Sequence, residues 1–183
     1  MIFKEKEFTL KDGRKALLRS PCEADAEEML RFIIKASGET DFLMRFPEEF
    51  ADFTLEQEKE FINGDYYNEN ALMIACVVDG RIAGNCQISF RTGMKDRHRA
   101  SVAIGLMKEY WNLGIGTRMF EELIRAAEER GGVLQLELDF IEGNTRARHL
   151  YEKMGFRITG VKPDAIRRKD GTFVNEYMMV KRL

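Results

Sequence analysis

The chain has 183 residues, 44% apolar and 33% charged, with a net charge of −2. That length suffices for one domain with a real core. The near-balanced charge supplies no basic field for a phosphate backbone, which argues against nucleic acid as a main partner. The longest clean apolar run, ALMIACVV at residues 71–78, is too short to span a bilayer, and the opening MIFKEKEFTL has no apolar signal core, so no membrane association is expected. Cys22, Cys76 and Cys86 are odd in number and lack CxxC spacing. They read as reduced thiols of a cytoplasmic protein, with neither a disulfide frame nor a zinc site. His98 and His149 are too few for a histidine-based metal cluster, so no metal is expected.

In chain order, a first strand is predicted over residues 15–19 (KALLR). Residues 23–36, just after Pro21, carry Ala26, Met29, Leu30, Ile33 and Ile34 as a helical stripe. Thr54 is placed to cap a second helix over 54–63, with Leu55, Phe61 and Ile62 as its apolar contacts. Residues 71–78 and 81–90 read as strands joined at Asp79-Gly80, a hairpin signal. After a polar loop over 91–99 comes a strand at 101–108. A helix over 115–130 follows, with Ile115, Met119, Phe120, Leu123, Ile124 and Ala127 on one face and Gly131-Gly132 at its end. Residues 133–140 (VLQLELDF) alternate strictly, so Leu134, Leu136, Leu138 and Phe140 share a face. Asn144 can cap a short helix with the stripe Ala147, Leu150, Tyr151 and Met154, closed by Gly155. Residues 156–161 and 173–180 make a last strand pair, connected through Asp170-Gly171.

No repeat, low-complexity tract or linker interrupts residues 1–183, which read as a single domain. The order is a strand, two helices, three strands, helix, strand, helix and two strands. It predicts an α/β fold with hairpins in a mixed, mostly antiparallel sheet of about seven strands and about four helices, not a doubly wound parallel sheet.

Function is concentrated at EYWNLGIGTRMFEEL, residues 109–123, where a strand gives way to a helix through Gly114 and Gly116. The first turn of a helix leaves N–H groups unpaired and carries partial positive charge, so such a junction can hold an anion. Two glycines can equally serve a tight turn alone, and spacing does not separate the two readings. A P-loop is excluded, because the chain has no Gly-Lys pair. A dinucleotide fingerprint fails at its third glycine, where Met119 stands, although Glu137 lies at a suitable distance for a ribose-binding acid. The hairpins upstream also argue against that nicotinamide-binding alternative.

Trp111-Asn112-Leu113-Gly114-Ile115-Gly116 resembles the acyl-CoA-binding motif [RQ]xxGx[GA] of the GNAT family of N-acetyltransferases, with Trp111 where the family usually has Arg or Gln. A second block, EGNTRARHLYEKMGF at residues 142–156, is similar to the family segment N-x-x-A-x-x-L-Y-x-x-x-G-F: Asn144, Ala147, Leu150, Tyr151, Gly155 and Phe156 all match. The two blocks occur in order, one helix and one strand apart, and the resemblance covers residues 71–183.

The resemblance implies an acetyl-CoA-dependent N-acetyltransferase acting on a small-molecule or peptide amine, with acetyl-CoA as co-substrate. It implies that the fourth and fifth strands, residues 101–108 and 133–140, splay apart around the pantetheine arm. The arm would pair near Leu106 and Met107, and a strand N–H near Leu106 could polarise the thioester carbonyl. The pyrophosphate would rest on N–H groups of Leu113, Gly114, Ile115, Gly116 and Thr117, with Trp111 and Asn112 also binding the cofactor. Arg118, Arg148 and Lys153 could meet CoA phosphates, and Ala147 and Leu150 would line the cofactor. Asn144 would add a bond to the pantetheine amide to its capping role, and Tyr151 would protonate the departing thiolate. The proton of the amine has four candidate routes: Glu137, Asp139, Glu142, or the acidic N-terminal loop, each directly or through water. Residues 38–50 (GETDFLMRFPEEF) would form the acceptor wall, mixing Phe42, Phe46 and Phe50 with Glu39, Asp41, Glu48 and Glu49. Related proteins pair their last strands, implying a homodimer. A non-catalytic CoA-binding sensor on the same fold is the alternative.

Overall fold

A computed structural model describes residues 1–183. Eight strands form one sheet: β1 (Lys6–Thr9), β2 (Lys15–Arg19), β3 (Ala71–Val78), β4 (Arg81–Phe90), β5 (Arg99–Leu106), β6 (Gln135–Ile141), β7 (Arg157–Arg167) and β8 (Phe173–Arg182). Their spatial order is β1-β2-β3-β4-β5-β6-β8-β7. Every neighbouring pair is antiparallel except β5 and β6. The helices are α1 (Ala26–Glu39), α2 (Leu55–Tyr66), α3 (Ile115–Arg130) and α4 (Thr145–Lys153).

Side-chain alternation in β5 assigns the helices to faces. A Cβ on Gly105 would meet Phe32 of α1, whereas Ile104 and Leu106 point at Gly116 of α3. Helices α1 and α3 therefore cover opposite faces, and α4 lies on the α3 side, with Tyr151 against Phe120. The turn at Asp79-Gly80 has positive φ at both residues (51° and 76°), the type I′ geometry that suits strand twist.

Several expectations need correction. Strand β1 is absent from the sequence reading, so the splayed pair is β5–β6. KEFT is too short and too half-exposed to announce itself; it is held by pairing to β2 and by Lys6 on buried Glu122 at 2.6 Å. In α1 the core positions are Ala26, Met29, Phe32 and Ala36, while Ile34 is exposed. In α2 only Ile62 of the Phe61–Ile62 pair is buried. Leu134 precedes β6 and is exposed, so the buried alternation starts at Leu136.

Candidate active site

Strands β5 and β6 run in parallel register only at Arg99–Gln135, Ala100–Leu136 and Ser101–Glu137. Beyond Ser101 they separate, while β5 stays paired to β4 as far as Leu106. Met107 N–H donates to Ala83 O at 3.0 Å on the β4 side. Because backbone groups alternate along a strand, Gly105 faces β4 while Ile104 and Leu106 turn their N–H and C=O groups into the gap. A strand edge without its partner is a template for an extended chain. Met107 itself is buried with its N–H engaged, so it offers the gap nothing.

The gap opens into a cleft of about 990 Å³. Of the residues singled out in the two sequence blocks, Leu106, Trp111, Asn112, Gly114, Ile115, Gly116, Thr117, Asn144, Ala147, Leu150, Tyr151 and Lys153 line it. Leu113 and Arg118 do not. The Leu113 carbonyl accepts from Lys11 N–H, and Arg118 turns along α3 to Glu121 at 3.3 Å. Arg148 likewise pairs with Glu152 on its own helix.

Gly114 and Gly116 are bare for different reasons. Gly114 is the N-cap of α3 at φ 94°, a left-handed conformation that costs an ordinary residue roughly 1 kcal/mol or more. A Cβ on Gly116 would come within 2.9 Å of Leu150 Cδ2. The bare position thus also lets α4 close on α3 beside the cleft that Gly116 lines. Together they leave the N–H groups of residues 113–117 without partners in the chain, aimed out of the helix start.

Cationic side chains gather here. Lys153 Nζ donates to Thr117 Oγ1 at 3.3 Å. Arg146, which the sequence reading missed, stacks on Trp111 (4.5 Å to the ring centroid) and donates to Asn112 Oδ1 at 2.6 Å. Lys11 also lines the cleft. None of the three pairs with a carboxylate, whereas Arg31, Arg118 and Arg148 pair with acids on their own helices. Only the fold could reveal Arg146: four residues from Leu150 in a polar helix, it carries no pattern of its own.

Asn144 caps α4, its Oδ1 accepting from Ala147 N–H at 3.2 Å, and its amide N–H groups have no partner in the chain. Tyr151 is buried among Phe120, Phe140 and Phe156. Burial alone pushes its phenol up to about 12.

The carboxylates divide sharply. Glu137 sits at the closed end, held by two nitrogens of Arg99, Nε and Nη2, and lowered in pKa by that pairing. Glu142 lies off the cleft wall and is lowered chiefly by the N–H of Asn175. Asp139 does line the cleft, together with Glu176, which the sequence did not flag. Both accept from Lys162, at 2.6 and 2.9 Å, which holds that ammonium firmly protonated.

The expected acceptor wall contributes Thr40, Phe42, Leu43 and Met44. Its acids face elsewhere: Glu39 accepts from Lys108 N–H, Glu48 pairs with Lys169, and Glu49 caps Phe46 N–H. Asp41 lines a separate pocket of about 210 Å³ with Arg167 and Arg168. Phe50 is core and Phe46 lies under Lys169. The cleft is therefore polarised, with cations and free N–H groups at the α3 start and carboxylates at the end of β6 and β8.

The acetyltransferase (GNAT) family model matches residues 37–156. An acetyltransferase of that family from Streptococcus pneumoniae is 31% identical, with a TM-score of 0.85 over 92% of this chain and 99% of that one. A ribosomal-protein-alanine N-acetyltransferase from Brucella melitensis shares the fold at 22% identity and a TM-score of 0.77, covering 91% and 99%. So does the yncA protein of Salmonella typhimurium, solved with its cofactor acetyl-CoA, at 15% identity and 0.76, covering 91% and 92%.

Proposed function

The chain belongs to the acetyltransferase (GNAT) family, and we propose that it transfers the acetyl group of acetyl-CoA to a primary amine by direct attack within one ternary complex. The observation that carries this reading is the continuity of two unsatisfied backbone surfaces. The open edge of β5 at Ile104 and Leu106 leads along the cleft to the free N–H groups of residues 113–117. An amide-rich arm ending in phosphates fits that sequence of donors and acceptors.

Arg146, Lys153 and Lys11 add positive charge at the phosphate end. The free amide of Asn144 meets the arm. The Leu106 N–H receives the thioester oxygen and stabilises the charge that grows there. The amine nitrogen attacks the carbonyl carbon, and the carbon–sulfur bond breaks as the tetrahedral intermediate collapses. The sulfur takes its proton from Tyr151, whose raised pKa keeps it protonated throughout the working range, and the tyrosinate so formed regains a proton from solvent. The proton lost by the amine passes to Asp139 or Glu176, through water where needed, and then to solvent. The apolar side chains of Phe42, Leu43 and Met44 with these two carboxylates suit an amine on an apolar stem.

We place all 183 residues in one catalytic domain, working in the cytoplasm as a homodimer through the last strands. No helix is long and apolar enough to cross a membrane. The test is thiol release from acetyl-CoA with a polyamine, an aminoglycoside, an amino acid and a peptide N-terminus. Saturable release with one class is expected. Tight acetyl-CoA binding without turnover would leave a sensor. A monomer mass in light scattering would remove the dimer.

A further inference from the structure

Leu106 is the last residue of β5, where the strand has lost β6 and has a neighbour on one side only. A strand end in that position frays, because half its backbone groups have only water as partner. Here the missing partner is replaced by a side chain. Trp111 Nε1 donates to Leu106 O at 3.0 Å from the gap side. Met107 N–H, on the opposite edge of the same peptide, is held by Ala83 O at 3.0 Å. The peptide after Leu106 is thus pinned from both sides, and the Leu106 N–H is left free beside it. Trp111 is in turn braced by Arg146 stacked on its ring, and Arg146 by Asn112.

The geometry points to Trp111 as a positioning residue: its indole N–H stands in for the absent strand, holds the end of β5, and aims the Leu106 N–H at the thioester carbonyl. This rests on the acetyl-CoA reading of the cleft. It gives the departure from the family motif a function, since a polar donor is retained at that position in a side chain of another shape.

The inference separates acetyl-CoA from CoA, because only the former has a thioester carbonyl to reach the Leu106 N–H. Calorimetry of both ligands on the full chain measures the ratio of their Kd values. Wild type is expected to bind acetyl-CoA more tightly. Trp111→Phe keeps an aromatic face for Arg146 but deletes the donor, and is expected to shrink the ratio by about fivefold, the loss of one hydrogen bond. Trp111→Gln restores a donor and is expected to recover most of the ratio. A merely structural role would weaken both ligands equally and leave the ratio alone, and that result overturns the inference. So does a wild-type ratio of one. Trp111 is the sole tryptophan, so its fluorescence gives a second reading: CoA entering the cleft perturbs wild-type emission. No binding of either ligand and no change in emission would sink the acetyl-CoA reading itself, whereas normal binding with an unchanged ratio in Trp111→Phe sinks the role of Trp111 alone.

Discussion

The same two strands meet at one end and part at the other, and the contrast between those ends explains the site. At the closed end, β5 and β6 satisfy each other's backbone over Arg99–Ser101 and Gln135–Glu137, and Arg99 grips Glu137 through two nitrogens, one at 2.7 Å. At the open end, Ile104 and Leu106 face a cleft, and the chain invests a side chain, Trp111, in holding the edge. The closed end is complete in itself, its backbone paired and its Glu137 held by Arg99. The open end is incomplete, and on the proposed reading a ligand completes it. Unpaired backbone is costly inside a protein, so its presence at a defined place, continuous with a helix start, is an informative departure.

The largest effect is expected where the open end meets the chemistry. Tyr151→Phe preserves the ring among Phe120, Phe140 and Phe156 and removes only the hydroxyl. We expect kcat to fall by about 100-fold, the scale of general acid catalysis, with the Kd for acetyl-CoA and the Tm little changed. A near-normal kcat, with chemistry rate-limiting, would return Tyr151 to the core and assign thiolate protonation to water.

The two glycines come next, and they should fail differently. Gly114→Ala forces an ordinary residue to φ 94° at the helix start. It should cost about 1–2 kcal/mol of stability and weaken acetyl-CoA about tenfold by turning N–H groups out of line. Gly116→Val drives a branched side chain against Leu150 and should lower Tm by several degrees through loosened α3–α4 packing. If Gly116→Val weakened acetyl-CoA with Tm unchanged, the assignment of that glycine to helix packing would be wrong.

The pH profile sharpens the same comparison. The acceptor amine must lose a proton before it attacks, so kcat/KM should climb with pH. Burial raises the Tyr151 phenol to about 12, so the acid form persists below that value and no descending limb should appear near pH 10, where an exposed tyrosine ionises. The linked stability has the same sign: full below the unfolded value of about 10, and lost as pH rises through the folded one. A bell-shaped profile falling near 10 would mean a solvated hydroxyl.

The smallest effect belongs to the closed end. Arg99→Ala removes a half-exposed ion pair, which we expect to cost under about 1 kcal/mol and to leave the Kd for acetyl-CoA and kcat within twofold. A large loss of turnover there would erase the distinction between the two ends.

By itself the sequence determined the helices and strands whose periodicity is unbroken. The helix over Ile115–Arg130 is the plainest case, with its glycine start and end. It also determined the two blocks that line the cleft, because their glycines, cap and stripe act over a single turn or two, the range on which sequence pattern reports. Whatever depends on contacts between distant segments was decided only by the tertiary structure. Strand β1 forms because β2 and Glu122 receive it. A Cβ on Gly116 would crowd Leu150, 34 positions later. Asp139 and Glu176, not Glu137 or Glu142, reach the cleft because β6 leaves β5 after residue 137 and carries β8 with it. Arg146 finds Trp111 across the cleft for the same reason. A charged side chain's place is set by which elements the sheet brings beside it, and neighbouring residues along the chain carry no record of that.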